Sequence, residues 1–189
     1  YYKLPSRDDD GYGLSETAVD LMAAKGVSLI VTVDNGVSAN AAIAHAKEQG
    51  VDVVVTDHHL PPQTLPEAAA IVNPQLPGDE SPCKTLSGAG VAFKLAAALD
   101  GCTPDEMLPF YGDLAAIGTI ADIMLLEGEN RRIVTFAADG ASGHRGAHRG
   151  LRPWGQGADG GKCLFWAGAA PERGGPYGQR RRRAGTAAV

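Results

Sequence analysis

The sequence predicts an α/β fold in which helices flank a parallel sheet. Two apolar runs rich in β-branched residues, VSLIVTV at residues 27–33 and DVVVT at residues 52–56, are typical of buried strands. Residues 38–50 lie between them and have helical periodicity. Because a strand, a helix and a second strand in this order form a right-handed crossover, we expect the two strands to be parallel, with their carboxyl ends at one edge of the sheet.

The other elements continue this alternation up to about residue 136. Ser15 and Ser38 are placed to cap helices, and Gly26 and Gly50 are placed to end them. The predicted elements are a helix at 15–26, a strand at 27–33, a helix at 38–50, strands at 52–56 and 68–74, and helices at 87–101 and 113–126.

A change of composition divides the chain near Phe136. Residues 1–136 hold 8 Lys/Arg and 19 Asp/Glu, whereas residues 137–189 hold 9 and 3, so the two parts carry net charges of −11 and +6. The second part has 13 of the 25 glycines, and its Leu, Ile and Val residues are Leu151, Leu164 and Val189. Such a segment buries too little apolar surface to offset its ordering entropy, so we expect residues 137–189 to be disordered.

Length and composition narrow the classes of protein. A chain of 189 residues is about one domain long, and it has no apolar run near the ~18 residues that a membrane span needs. No secretory leader opens the sequence. Cys83, Cys102 and Cys163 are odd in number and widely spaced, which argues against a disulfide framework and a thiolate zinc site. We therefore expect a protein of the cytoplasm, without a membrane partner.

Polar side chains follow both buried strands. Asp34 comes directly after the first strand, and Asp57, His58 and His59 come directly after the second. Ligand sites of open α/β sheets lie outside the carboxyl ends of the strands. Mixed carboxylate and imidazole ligation suits Mn²⁺ and is compatible with Mg²⁺ or Zn²⁺. The sequence therefore predicts a metal site at this edge of the sheet.

The two adjacent histidines are expected to have different roles. Consecutive residues of an extended chain point to opposite sides, so His58 and His59 should not both bind one ion. One of them becomes a ligand, and the other is free to contact substrate or transfer a proton.

Each of these features has a simpler explanation when it is taken alone. Asp34, in VDNG, suits a turn in which the acid is a local acceptor and the glycine has positive φ. The histidine pair suits a polar loop or a helix cap. Asp122, an acid in an otherwise apolar helix, is either a third candidate for the site or a solvent-facing residue. Arg7 is either a surface cation or a phosphate clamp. LSGAG, residues 86–90, is either a phosphate-binding loop or, more in keeping with the pattern, a site of helix-to-sheet packing.

Six segments in series resemble the DHH phosphoesterase superfamily and, within it, the RecJ family of single-strand-specific DNA exonucleases. The resemblance covers essentially all of residues 1–135, and it implies a metal-dependent 5′ to 3′ nuclease of DNA repair and recombination that acts on single-stranded DNA with Mn²⁺ or Mg²⁺. The segments are YYKLPSRDDDGYGLSE, LIVTVDNGVS, VVVTDHHLPP, LPEAAAIVNPQ, LSGAGVAFKLAAAL and DLAAIGTIADIMLLEGENR.

The resemblance also implies a role for each candidate residue. Asp34 would bridge two metal ions, and His58 and Asp122 would be ligands of one of them. His59 would lie beside the scissile phosphate, and Asp57 would orient the histidines. By the same resemblance, Arg7 would grip a substrate phosphate. A two-metal site of this kind activates water and neutralises the attacking and leaving oxygens of a phosphodiester.

Two departures from the family lead us to expect little or no nuclease activity from this chain alone. The family's Asp-x-Asp pair on an earlier strand has no counterpart here, since Asp8, Asp9 and Asp10 lie in a polar segment. Residues 137–189 resemble neither the later DHHA1 domain of the family nor its OB domain. Alternative functions are a non-catalytic fragment that binds nucleic acid through the run of arginines at 180–183, or a DHH phosphatase acting on small nucleotides or pyrophosphate.

The tail is interpreted as a shifted reading frame. Residues 165–178, FWAGAAPERGGPYG, can be back-translated so that the next frame encodes FGLAPRLNAAGRMG, which resembles a later RecJ motif. We therefore expect that a base was gained or lost around residues 134–145.

Overall fold

The computed structural model describes residues 2–4, 13–138 and 163–167. In chain order, the elements are β1 (Tyr2–Lys3), α1 (Glu16–Ala24), β2 (Leu29–Val33), α2 (Asn40–Glu48), β3 (Asp52–Thr56), β4 (Ala70–Val72), α3 (Gly88–Asp100), α4 (Pro104–Ala121), α5 (Gly128–Ala138) and β5 (Cys163–Ala167).

All of the described strand pairs are parallel. The order in the sheet is β1-β5-β2-β3-β4, with Leu29 opposite Asp52 and Val33 opposite Thr56 along the central pair. The predicted α/β fold with a parallel sheet and flanking helices is confirmed. Since β2 and β3 are in register, both strands end at the same edge of the sheet, and the residues that follow them are neighbours.

Two apolar clusters support this arrangement. The first joins α1 and α2 to alternate residues of β2 and β3, and Ile30, Val53 and Val55 are buried in it. The second lies among α3, α4 and α5 and is centred on Phe93 and Leu108. Ile30, Val31 and Thr32 of β2 are all buried, so both faces of that strand are covered. The helical unit of α3, α4 and α5 is therefore a second layer that meets the sheet through α3.

Helix α4 begins nine residues earlier than the sequence predicts. Thr103 accepts a hydrogen bond from the Glu106 backbone N–H, and the Glu106 side chain accepts from the Thr103 backbone N–H, which together form a capping box. Pro104 occupies the first helical position, where the missing N–H has no cost. These signals start α4 at Pro104, and the helix continues through Pro109.

One of the two predicted helix caps holds and the other fails. The Ser15 side chain accepts a hydrogen bond from the backbone N–H of Ala18, as predicted, and the structure adds a cap on α3, where the Ser87 side chain accepts from Gly90 N–H. Helix α2 instead begins at Asn40 without a side-chain cap, so the prediction that Ser38 caps it is wrong. The reason is a turn at residues 36–39, in which Ala39 N–H donates to Gly36 O and Ser38 precedes the helix start by two residues.

Residues 163–167 of the tail form β5, which is paired between β1 and β2. The prediction that residues 137–189 are disordered as a segment stays a prediction. CLFWA is the apolar and aromatic run of the tail, and such residues favour strands. Helix α5 also extends to Ala138, two residues beyond the expected boundary at Phe136. The other residues of the tail lie outside the described part of the chain.

Among the described helices, none combines the length and the hydropathy that crossing a membrane requires.

The capping box predicts a measurable share of stability. Replacing Thr103 with Ala removes the hydroxyl that accepts from Glu106 N–H, so Thr103→Ala should lower the free energy of unfolding by about 1 kcal/mol in urea denaturation. Thr17→Ala, at an exposed position inside α1, is the matched control and should not destabilise the protein. Equal losses for both substitutions would show that the box contributes nothing specific.

Candidate metal centre

Asp34 and His58 meet because two parallel strands end side by side. Asp34 directly follows β2, and its backbone N–H donates to the carbonyl of Thr56, the last residue of β3. The Thr56 hydroxyl donates to Thr32 O at 2.6 Å and ties the two strand ends together again. One carboxylate and one imidazole are thus delivered to the same edge, as the sequence predicted.

The turn after β2 is shaped around Asp34. Asp34 has φ 64°, an uncommon conformation for a residue other than glycine, and Gly36 has φ 110°. The Thr32 hydroxyl donates to Asn35 O across this turn, and a Cβ at position 36 would come within 2.6 Å of that hydroxyl. The expected glycine at positive φ is confirmed. The Asp34 carboxylate, however, faces His58 of the neighbouring strand end rather than acting as the acceptor of its own turn.

Asp57 is a buried acceptor that organises the loop after β3. Its side chain is 1% exposed, and its Oδ2 accepts from Val37 N–H at 2.9 Å. Its Oδ1 accepts from the backbone N–H of His58 at 2.8 Å and from His59 Nδ1 at 2.7 Å. Backbone N–H donors and an imidazole satisfy a buried carboxylate that would otherwise be costly. Asp57 therefore connects the histidine loop to the loop before α2 and fixes the His59 ring.

Asp122 reaches the site from the end of a helix. The structure ends α4 at Ala121 and places Asp122 at the C-cap, which corrects the prediction of a continuous helix over residues 113–126. Ile123 N–H donates to Ile120 O, and Met124 N–H donates to Thr119 O, which is the hydrogen-bond pattern of a Schellman motif. Ile123 occupies the left-handed position of this motif, with φ 56°.

Three ligand-type atoms converge at this edge. His58 Nε2 lies 3.0 Å from Asp34 Oδ1 and 3.2 Å from Asp122 Oδ2. The expected convergence of Asp34, His58 and Asp122 is confirmed. All three atoms are buried, yet none has a hydrogen-bond partner of acceptable geometry in the described part of the chain. They lie near one another without being aimed at one another.

These separations suit ligands of one cation. Adjacent octahedral ligands, each about 2.1 Å from an ion, are about 3.0 Å apart, whereas tetrahedral ligands at that radius are about 3.4 Å apart. Buried polar atoms without partners are costly unless something binds them. The donor set of two carboxylates and an imidazole is a common one for divalent transition metals. The residues present therefore fit a divalent cation.

The electrostatics of the cluster also favour a positive charge. Asp122 lies at the C-terminal end of the 18-residue helix α4, where the helix dipole disfavours an anion. Burial by itself lowers the pKa of His58, but the adjacent negative charge of Asp34, together with the charges of Asp122 and Asp57, raises that pKa above its ordinary value. A proton on His58 or a metal ion at this place would each offset the two carboxylates.

The two adjacent histidines lie close together, and their division into one metal ligand and one substrate contact stays a prediction. Asp34, His58 and His59 each offer a ligand atom, and these atoms lie within 4.8 Å of one another. The two imidazole rings are 4.5 Å apart. Strand β3 ends at Thr56, so the alternation of side chains in an extended chain does not apply to residues 58 and 59. Both rings border the same space.

Gly88 at the start of α3 and Gly118 near the end of α4 allow close packing of these helices. A Cβ at position 88 would overlap the Asp34 carboxylate, and a Cβ at Gly118 would overlap Ala89. Glycine at these positions allows α3 to approach the end of β2 closely and α4 to approach α3. The preference for packing over a phosphate-binding loop at residues 86–90 agrees with these contacts.

Sequence reasoning missed Asn73. This residue follows β4, is 3% exposed, donates from Nδ2 to His59 O and accepts from Gln75 N–H. It is the polar residue at the end of a third parallel strand, so the rule that pointed to Asp34 and Asp57 could have found it. Arg7, the predicted phosphate clamp, lies outside the described residues.

Fold and site together define a parallel α/β domain with a carboxylate and histidine cluster of the kind that suits a divalent cation. The profile of the DHH family, N-terminal domain, matches residues 1–119. The chain belongs to the DHH family.

The similar proteins of known name are exonucleases. The chain is 49% identical over 141 residues to the single-stranded-DNA-specific exonuclease RecJ of Salmonella typhimurium, covering 69% of this chain and 24% of that protein. It is 50% identical over 138 residues to RecJ of Bacillus subtilis, covering 73% and 17%. The chain thus spans a quarter or less of the length of these curated relatives.

Two solved structures resemble the domain. A crystal structure of exonuclease RecJ bound to manganese has a TM-score of 0.61 and 39% identity, covering 73% of this chain and 35% of that one. A crystal structure of RecJ from Thermus thermophilus in complex with Mn²⁺ has a TM-score of 0.52 and 38% identity, covering 64% and 18%.

Asp57 should be essential to the folded loop. Asp57→Asn replaces a buried anion that accepts from three backbone N–H groups and an imidazole, so it should lower the free energy of unfolding by about 2 kcal/mol. Asp52→Asn, at the exposed start of the same strand, is the control and should have little effect in the same urea titration. If the two variants are equally stable, Asp57 does not have the structural role described.

Proposed function

We propose that this domain carries part of the active site of a metal-dependent exonuclease that hydrolyses single-stranded DNA from the 5′ end. The observation that carries the proposal is the convergence of three buried, unpartnered donor atoms from Asp34, His58 and Asp122. The relatives named above are single-stranded-DNA-specific exonucleases, and two similar structures hold manganese. DNA repair and recombination is the process in which such an enzyme would act, in the cytoplasm.

Asp34, His58 and Asp122 would hold Mn²⁺ or Mg²⁺. By the family resemblance, Asp34 is the ligand that would bridge two ions. A bound divalent cation supplies Lewis-acid chemistry, lowering the pKa of water and neutralising charge on a phosphodiester. Asp34 and Asp122 approach from different layers of the fold, so the domain fixes the donor atoms before any ion is bound. Such preorganisation avoids a cost of rearrangement during the reaction.

His59 is the candidate group for contact with substrate phosphate. Its Nδ1–H is held by the Asp57 carboxylate, and its side chain is 59% exposed. Nε2 is therefore the nitrogen available to a phosphate oxygen or to a transferred proton. A buried carboxylate behind an imidazole holds its tautomer and orientation. Asp57 is thus proposed to orient His59, and Arg7 is proposed to bind a substrate phosphate by charge.

The two rival functions have less support. A DHH phosphatase for small nucleotides or pyrophosphate would share the metal cluster, but the named relatives point to single-stranded DNA. A non-catalytic fragment would bind DNA through the arginines at 180–183, which lie outside the described residues. Such binding by charge would not require the buried cluster, so the loss of activity through Asp34 separates the functions.

A chimera tests the proposal. Residues 1–136 of this chain, placed in the matched segment of the Bacillus subtilis relative, should support Mn²⁺-dependent degradation of 5′-phosphorylated single strands. Asp34→Ala should slow the chimera about a hundredfold or more, as expected for the loss of charge stabilisation in the transition state. The Asp52→Asn chimera, altered in an exposed acid, should degrade DNA at the parental rate.

Residues 1–189 by themselves should show little or no degradation in the same assay, because they span a quarter or less of the length of the curated relatives. A folded chimera without activity, or one whose activity survives Asp34→Ala, would contradict the proposed function. Degradation of pyrophosphate or of mononucleotides in place of single strands would favour the phosphatase.

A further inference from the structure

We infer that Asn130, Ser87 and Thr119 are positioning residues that hold Asp122 beside Asp34 and His58. The inference rests on the proposed metal site, since it concerns how one of its ligands is placed. None of these three side chains is among the cluster atoms. Each connects the segment around Asp122 to the turn before α3.

Asn130 makes the first connection. It lies in the first turns of α5 and is 0% exposed. Its Nδ2 group donates to Thr85 O at 2.6 Å and to Leu125 O at 3.0 Å. One amide therefore joins the turn before α3 to the loop three residues beyond Asp122. Two donors on a single uncharged nitrogen suit two backbone carbonyls, and a carboxylate at this position would supply neither.

The cost of burying Asn130 supports a specific role. Its Oδ1 is buried and has no hydrogen-bond partner in the described part of the chain. A buried amide oxygen without a partner is destabilising, whereas an apolar side chain would avoid that cost. The side chain is therefore better explained by what its two N–H groups hold in place than by the burial itself.

Ser87 and Thr119 make the second connection. Their hydroxyl oxygens are 3.2 Å apart and buried. Ser87 Oγ accepts from Gly90 N–H, and the Thr119 hydroxyl donates to Ala115 O, so Ser87 is the donor to Thr119. This chain of hydrogen bonds attaches the last turn of α4 to the start of α3.

The two connections bracket Asp122. They reach the chain at residues 119 and 125, on either side of the acid, and both start from residues 85–87. Gly88, the next residue, packs against the Asp34 carboxylate. Residues 85–88 thus pack against the Asp34 carboxylate and hold the chain on both sides of Asp122 through hydrogen bonds. These contacts set the separation between the Asp34 and Asp122 carboxylates.

The backbone at Ile123 is strained between the two connections. A β-branched residue with φ 56° is a clear outlier, and 74% of Ile123 is exposed, so its side-chain packing does not explain the conformation. Unfavourable backbone conformations persist where the surroundings over-determine them. The Schellman motif places Ile123 in the left-handed region, and the hydrogen bonds at residues 119 and 125 hold both ends of the turn that carries Asp122.

Mn²⁺ affinity, measured from the free-ion electron paramagnetic resonance signal, tests the inference. Asn130→Ala should lower the Mn²⁺ affinity of the 189-residue chain about 10-fold to 100-fold. This is the range found when residues that orient metal ligands are replaced. Thr119→Val, which keeps the shape and removes the hydroxyl, should lower it in the same direction. Thr103→Ala, at the opposite end of α4, should lower the melting temperature without changing the affinity.

A rescue variant separates positioning from general stability. Glycine adopts positive φ without strain, so Asn130→Ala combined with Ile123→Gly should keep the turn and recover much of the lost Mn²⁺ affinity. The double variant also decides the matter if Asn130→Ala alone does not fold. Wild-type affinity in folded Asn130→Ala, or no recovery in a folded double variant, would overturn the inference.

Asp34→Asn distinguishes this inference from the proposed function. If Asp34→Asn abolishes Mn²⁺ binding while the Asn130 and Thr119 variants bind like the wild type, the metal site stands and the positioning role is wrong. If the wild-type chain binds no Mn²⁺, or Asp34→Asn binds it unchanged, both ideas fail.

Discussion

Two carboxylates held on either side of one imidazole are the constraint on which this domain depends. Asp34 and Asp122 lie 3.0 and 3.2 Å from His58 Nε2 and repel each other in a partly desolvated place. The fold opposes that repulsion with close packing at Gly88 and with hydrogen bonds from Asn130. The two close carboxylates destabilise the fold unless a positive charge lies between them. Such an arrangement is typical of a binding site and not of a hydrophobic core.

The sheet could be predicted from the sequence because its signals are local. Two β-branched runs separated by a helix define the parallel pair β2 and β3, and the apolar periodicity gives the helices between them. The limits of α4 could not be found from apolar periodicity. Its start depends on the capping box at Thr103, and its end depends on a Schellman turn in which Ile123, a β-branched residue, takes the left-handed position against its preference. Strand β5 was missed because composition was averaged over the whole tail.

The residues of the site also differ in whether the sequence could predict their positions. Asp34 and His58 follow from topology, since parallel strands in register end together. Asp122 came from the family resemblance, because its position depends on how α3 and α4 pack, and no local pattern reports that packing. His59 was separated from His58 by strand alternation, an argument that does not reach residues 58 and 59 because β3 ends at Thr56. Asn130 drew no attention because a single asparagine in a helix has no sequence signal that distinguishes a buried connector from a surface residue.

The central claim is that the three unpartnered atoms are ligands of one ion. The direct measurement is a crystal structure of this chain grown with Mn²⁺ and recorded at the manganese absorption edge. The account predicts an anomalous peak bonded to Asp34 Oδ1, His58 Nε2 and Asp122 Oδ2, with the protein atoms close to their present positions. A map with no peak there, in which a protonated His58 forms hydrogen bonds to the two carboxylates, would contradict it.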